Sequence, residues 1–156
     1  MDLTRIIPKL YVGSCPRIPK DIDRLHDEFG VTAVVNLQTD VDLAQWNIRW
    51  RTLETRYRRL GITVRSIPIE DFDAEDLRRR LPDGAAALHE LLAAGHTTFV
   101  HCSVGVNRSP SVVIACLHWF FGWDLQEAIN RVTTERACDP HVEAIRLASE
   151  DRGLGA

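Results

Sequence analysis

Nine residues, His101-Cys102-Ser103-Val104-Gly105-Val106-Asn107-Arg108-Ser109, constrain this chain more than any other stretch. A hydrophobic run at 97–100 leads into them and reads as a buried strand; a helical run from 110 to 121 leads out. A strand that passes through a short loop into a helix N-terminus is a unit of α/β architecture. Such a loop aims successive backbone N–H groups at one spot, and the helix dipole adds positive potential there. Gly105 is able to take the positive φ that the turn requires.

Five residues separate Cys102 from Arg108, and that spacing describes an anion cradle with a nucleophile at its base. The N–H groups of Ser103, Val104, Gly105, Val106, Asn107 and Arg108 would surround a phosphate. The planar fork of Arg108 matches two of its oxygens. The same field favours thiolate over thiol at Cys102. Ser109 is placed to hydrogen-bond the sulfur, and His101 to brace the loop from behind.

Composition narrows the class. The 156 residues suit a single domain with a real core, 45% hydrophobic and 26% charged. A net charge of −3 with no basic-aromatic stripe argues against nucleic acid as a partner. The apolar stretch 111–123 is too short to span a bilayer, so no membrane is expected. Cys15, Cys102, Cys116 and Cys138 show no metal-ligand spacing, which implies no metal and a reduced, cytoplasmic setting. Cys116, mid-helix, reads as packing, whereas Cys15 or Cys138 could pair reversibly with a reactive Cys102.

Along the chain, residues 10–14 read as the first strand. Pro19 opens a helix with Ile18, Ile22, Leu25 and Phe29 at helical spacing, stopped by Gly30. Residues 31–37 form a β-branched strand. Asn36 near its end either bonds a neighbouring loop or serves as a strand-end turn residue. Residues 38–50 read as a polar loop carrying Trp46 and Trp50, 51–60 as a helix, 62–67 as a strand and 68–73 as a loop. Pro82 reads as the first-turn residue of a helix that reaches Ala94. Asp124 caps a helix to about Thr134, Asp139-Pro140 starts a last one, and the tail after Gly153 reads as frayed. With no linker or repeat, residues 1–156 form one α/β domain: a mostly parallel central sheet with helices on both faces. The Cys102 loop then lies at the carboxyl end of a central strand, where such sheets bind ligands.

A thiolate attacking phosphorus needs a proton for the departing oxygen. The loop Glu70-Asp71-Phe72-Asp73 offers three carboxylates at the same sheet end. Asp71 is the choice for general acid, and afterwards for general base; Asp73 is better suited to capping the turn that follows.

The stretch from His101 to Ser109 resembles the signature loop of cysteine-dependent dual-specificity phosphatases, and an upstream acid at this distance is that family's arrangement. A wider likeness runs from about 12 to 148. Val12-Gly13-Ser14 with Pro16, Asp21-Ile22-Asp23, Asn36-Leu37-Gln38, Trp46, Asp71-Phe72-Asp73, Leu77-Arg78, Leu81-Pro82 and Arg136-Ala137-Cys138-Asp139-Pro140 with Ala144-Ile145-Arg146 are similar to plant glucan phosphatases, relatives of laforin. The resemblance implies a dual-specificity-phosphatase-like fold and a phospho-cysteine mechanism that uses no cofactor. It implies Asp71 as the acid and phosphorylated glucan as the substrate. It places Trp46 and Phe72 where that family sets aromatic rings against sugar, a physically sound use of a flat exposed ring; Trp46 serves equally well as a lid over local core. Val104 and Asn107 stand where the glucan phosphatases carry Ala and Gly, and there the loop resembles phosphatases acting on phosphotyrosine and phosphoserine/threonine in proteins. No Lys lies between Cys102 and Arg108, which sets phosphoinositides and inositol phosphates lower. A non-catalytic phosphate-binding module is disfavoured by Cys102, Arg108 and Asp71 occurring together. Nothing in the sequence specifies an oligomer.

Overall fold

A computed structural model describes residues 1–154. In chain order the elements are β1 (Leu3–Ile7), β2 (Leu10–Gly13), α1 (Pro19–Asp27), β3 (Ala33–Asn36), α2 (Asp40–Gln45), α3 (Trp50–Arg59), β4 (Thr63–Ser66), α4 (Ala74–Ala93), β5 (Thr98–His101), α5 (Arg108–Phe120), α6 (Leu125–Glu135) and α7 (Val142–Asp151). The strands form one sheet in the order β1-β2-β5-β3-β4. β5 lies between β2 and β3, parallel to both, and β4 pairs parallel to β3.

Successive side chains of a strand point to opposite faces, and both faces here are covered. Val35 and Val100 pack with Leu81 and Leu88 of α4, Ile114 of α5, Val132 of α6 and Ile145 of α7. Their neighbours Val34 and Phe99 face the other way, onto Ile22 and Leu25 of α1 and Leu53 and Tyr57 of α3. α5 is buried on every side from Arg108 to Leu117, as an apolar helix at the centre of a domain must be. Each fully buried Val, Leu or Ile there contributes roughly 1.5–3 kcal/mol relative to an exposed one. That burial anchors the helix whose first turn forms the site.

Four elements differ from the sequence reading. Leu3–Ile7 is a strand, paired antiparallel to β2 with Leu3 opposite Gly13 and Thr4 opposite Val12, so the mostly parallel sheet has one antiparallel edge. Its edge position leaves it irregular, with a register shift between Arg5 and Ile7 that hides its alternation. The expected loop 38–50 contains α2. Thr39 caps it: Asp42 N–H donates to Thr39 Oγ1 at 3.3 Å, and Thr39 N–H donates back to Asp42 Oδ2 at 2.8 Å. α4 begins at Ala74 rather than Pro82 and runs through the proline. Asp73 caps it by accepting from Asp76 N–H at 3.0 Å, and burial of Leu77 and Leu81 outweighs the hydrogen bond lost at Pro82. α7 begins at Val142 under a His141 cap, two residues beyond the expected Pro140 start. The expectation of a frayed tail falls partly on residues 155–156, outside the described residues.

Candidate active site

β2, β5 and β3 run parallel, so their carboxyl ends lie together at one end of the sheet, and the chain leaving β5 there folds into the loop 102–107 before α5 begins. Cys102 is buried, and its Sγ lies 3.3 Å from Ser109 Oγ. His101 Nδ1 lies 3.0 Å from the Cys102 carbonyl oxygen, the brace expected of it. Burial lowers the His101 pKa to about 4, so the ring is neutral and Nδ1 carries the donated proton.

The outer side of the loop explains its inner side. Ser103 O accepts from Cys15 N–H at 3.0 Å, and Val106 O from Asp139 N–H at 2.8 Å. Val104 O accepts from Arg136 Nη2 at 3.3 Å and Gly105 O from Arg136 Nε at 2.8 Å. Asn107 O accepts from Ser111 N–H at 3.1 Å and Ser111 Oγ at 2.7 Å. Each carbonyl from 103 to 107 is thus tied to a group outside the loop. A trans peptide sets N–H opposite C=O, and no peptide here is cis, so the N–H groups that follow turn inward over Cys102. None of the N–H groups of 103–107 bonds to a protein carbonyl or side chain among the described residues. Gly105 has φ +72°, the left-handed conformation expected of it.

Arg108 closes the hollow. Its Nη1 donates to Asp42 Oδ2 at 2.7 Å and to Ile69 O at 2.8 Å. Its Nη2 reaches Asp42 Oδ1 at 3.3 Å, Ser103 Oγ at 3.4 Å and Asp71 Oδ2 at 3.3 Å. Its Nε–H is buried without a hydrogen-bond partner among the described residues, a donor left for an anion. Burial pushes the Arg108 pKa down, but the Asp42 bond and the nearby Cys102 and Asp71 charges more than reverse that, so the guanidinium stays charged. Burial likewise pushes the Asp42 carboxyl up, and the Arg108 and Thr39 hydrogen bonds bring it below its usual range.

Asp71 is brought to this hollow as expected, on a loop with little freedom. Ile69 is fully buried, and its N–H bonds Leu37 O at 3.0 Å. Glu70 N–H donates to Asp76 Oδ2 at 2.7 Å, and Asp73 caps α4. Between these anchors the Asp71 side chain is 30% exposed, able to meet a substrate at the pocket mouth. Phe72 follows at φ +59° with its side chain wholly in solvent. It lines a cavity of about 370 Å³ with Glu70, Val106, Asn107, Arg108 and His141.

For Asn36 and Trp46 the structure bears on alternatives that the sequence leaves open. Asn36 does not reach the loop through its side chain; Oδ1 accepts from Gln38 N–H at 3.0 Å, the strand-end turn alternative. Gln38 makes the bridge instead, donating from Nε2 to Ser103 Oγ at 3.1 Å. Trp46 is half-buried against the α1/α3 cluster, with the Arg17 guanidinium 5.1 Å from its ring centroid. It lines a separate cavity of about 330 Å³ with Arg17, Ile18, Asp21 and Asn47, so it is at once a lid over local core and a partly open ring. Asp42 is not singled out by the sequence, and Arg136 enters there only within a stretch of family likeness, with no role attached to it. The Thr39-x-x-Asp42 capping pattern was a readable signal for α2, but nothing local marks which buried cation Asp42 meets. All four cysteines are free, and Cys116 is pushed up to about 12 by burial, which makes it inert.

The chain has relatives among known proteins. The family model "Dual specificity phosphatase, catalytic domain" matches residues 10–145. The chain is 35% identical over 151 residues to phosphoglucan phosphatase LSF1, chloroplastic, of Arabidopsis thaliana, covering 97% of this chain and 25% of that protein. It is 36% identical over 146 residues to laforin of Mus musculus, covering 87% of this chain and 44% of that protein. The chain therefore matches about a quarter of the length of the first relative and less than half of the second. The solved structure of Tk-PTP in its active form matches with a TM-score of 0.76 over 96% of this chain and 94% of that one, at 23% identity, a likeness of fold. No helix among the described residues is long and apolar enough to cross a membrane.

Proposed function

Since the chain belongs to the dual specificity phosphatase catalytic-domain family, we propose that it hydrolyses phosphate monoesters through a phospho-cysteine at Cys102, with phosphorylated glucan as substrate and residues 1–156 as one catalytic domain. The observation that carries the reading is the gathering at one end of the sheet of a buried thiol, loop amides whose preceding carbonyls are tied outward, the Arg108 Nε–H with no partner among the described residues, and the Asp71 carboxylate beside Arg108.

In the first step the Cys102 thiolate forms the S–P bond as the P–O bond to the alcohol breaks. Loop amides and the Arg108 fork hold the three non-bridging oxygens, where charge is spread in the transition state. Asp71, protonated, gives its proton to the departing oxygen. In the second step water attacks phosphorus, Asp71 takes the water's proton, the S–P bond breaks and inorganic phosphate leaves. The Ser109 hydroxyl, 3.3 Å from the sulfur, donates to the thiolate as it departs. The wholly exposed Phe72 beside the pocket, and the names of the relatives, support a sugar polymer as the substrate. Four free cysteines fit the reduced, cytoplasmic setting that belongs to the same reading.

Turnover of p-nitrophenyl phosphate in EDTA tests the chemistry. Wild type should be active and vanadate-sensitive, and Cys102→Ser should fall to background. Activity that survives Cys102→Ser, or that needs divalent metal, refutes it. Phosphate release from amylopectin set against release from phosphotyrosyl and phosphoseryl peptides tests the substrate; faster release from the peptides makes this a protein phosphatase.

A further inference from the structure

The outer side of the loop is held at one stretch by a single side chain. Arg136, at the end of α6, is 8% exposed. Its guanidinium spends Nε on Gly105 O at 2.8 Å and Nη2 on Val104 O at 3.3 Å. The remaining donors run outward, Nη1 to Thr4 Oγ1 at 3.1 Å and Nη2 to Asp2 Oδ1 at 2.7 Å. Asp2 is itself pinned, its N–H on Ser14 Oγ at 2.8 Å and its carbonyl on Ser14 N–H at 3.0 Å. One cation therefore ties the loop to the edge strand.

The place it grips is where the loop is least able to hold itself. Glycine tolerates both signs of φ, so the peptide units flanking Gly105 can turn over at little steric cost. A turned peptide would aim a carbonyl oxygen, instead of an N–H, at the phosphoryl oxygens. The close packing here leaves no room for a side chain to stiffen the turn: a Cβ on Gly105 would lie 2.5 Å from Arg136 Nη2 and from the Gly13 carbonyl carbon. The stiffening must come from outside.

On the phosphatase reading above, we propose that Arg136 is a positioning residue for the reaction: by holding the carbonyls of Val104 and Gly105 outward it aims the N–H groups of Gly105 and Val106 at the transferring phosphoryl group. A forked guanidinium reaches two carbonyls and two tethers at once; an ammonium is a single point and does not. The partners of Cys102, Arg108 and Asp71 are elsewhere, so Arg136 acts only through the backbone.

The test uses Arg136→Lys, Arg136→Ala and, as control, Asp2→Asn, which weakens the tether but leaves the carbonyl grip. The readouts are kcat and KM for p-nitrophenyl phosphate, the inhibition constant of vanadate and the melting temperature. Loss of transition-state donors lowers kcat and kcat/KM together, by ~10²-fold for Arg136→Ala and ~10-fold for Arg136→Lys, with vanadate weakened in parallel. Asp2→Asn should keep vanadate inhibition within about twofold of wild type, because exposed tethers contribute little. If Arg136→Ala does not fold, Arg136→Lys, which keeps charge and stem, decides alone. A folded Arg136→Lys with wild-type kcat and vanadate inhibition overturns the proposal. So does an equal loss in Asp2→Asn, which would make the tether the source. A wild-type protein that fails to turn over the substrate would refute the phosphatase reading instead.

Discussion

The Asp42 carboxylate holds the Arg108 guanidinium at 2.7 Å and 3.3 Å, with the two side chains 4% and 2% exposed. The pair joins a helix cap 66 residues upstream to the arginine that faces the anion site. Two buried charges are stable here because each is also bonded to backbone, Asp42 to Thr39 N–H and Arg108 to Ile69 O. Both Nη atoms are engaged by Asp42, whereas Nε–H has no hydrogen-bond partner among the described residues. On the phosphatase reading, Asp42 sets the orientation in which the fork meets a phosphate.

Removing that carboxylate takes away the buried counter-charge of Arg108 and leaves it only the partly exposed Asp71. Asp42→Ala should cost about 3–5 kcal/mol, seen as a melting temperature lower by roughly 10 °C. Asp42→Asn, which keeps one acceptor, should lose less stability yet still slow p-nitrophenyl phosphate turnover by ~10-fold or more, because the fork is free to rotate. Wild-type kinetics in Asp42→Asn would show that Arg108 is held without the pair.

Asp71 is expected to matter in proportion to how badly the departing oxygen needs a proton. p-Nitrophenolate leaves readily as an anion, whereas a sugar alkoxide does not. Asp71→Asn should lower release from a sugar phosphate by ~10²–10⁴-fold, and should lower p-nitrophenyl phosphate turnover by clearly less. Comparison of kcat/KM, which reports the first step without the shared hydrolysis of the phospho-cysteine, on the two substrates checks it; equal losses there would mean that Asp71 does not protonate the departing oxygen.

Phe72, wholly exposed, supports no core, so Phe72→Ala should change stability by no more than about 0.5 kcal/mol. If the ring receives a glucan, the same change raises KM for phosphorylated amylopectin severalfold and leaves p-nitrophenyl phosphate kinetics unchanged. Trp46→Ala is a different experiment, because its ring packs on the α1/α3 cluster and its loss should also lower the melting temperature. Thermal melts beside amylopectin kinetics separate the two.

His101 links acid to stability. Its pKa in the fold is about 4, against the ordinary 6.5, because burial disfavours the imidazolium. Between those values the unfolded chain binds a proton that the native state does not. The contribution is complete above pH 6.5 and is lost as pH falls toward 4, a total of about 3 kcal/mol. His101→Asn removes this dependence. Urea melts of the two proteins at pH 7 and pH 5 should therefore differ by about 2 kcal/mol in how much stability each loses; parallel losses would mean that His101 titrates normally in the fold.

The alternation of strands and helices was legible wherever apolar periodicity ran for several residues, as at β3, β5 and α5. It failed where tertiary neighbours did the stabilising. β1 is an irregular edge strand completed by β2, and α2 is six residues long, held by one capping box and the buried Asp42. α4 begins early because Asp73 and Asp76 tie down its start, against the local signal of Pro82.

At the site, Cys102, the loop to Arg108, Ser109 and His101 could be read directly, because their chemistry is set by spacing within a few residues. Sequence alone determined that a thiol, an amide-lined turn and a guanidinium would meet, since a strand running through a glycine turn into a helix leaves them nowhere else to go. Only the tertiary structure decided which groups hold them there. Asp42, Gln38 and Arg136 reach the loop across 66, 65 and 31 residues. Their targets are a buried charge, a hydroxyl and two backbone carbonyls, none of which leaves a periodic mark on the chain. Where a side chain pairs over that distance depends on sheet order and helix packing, and these are settled by burial on the two faces of the sheet rather than by any neighbouring residue.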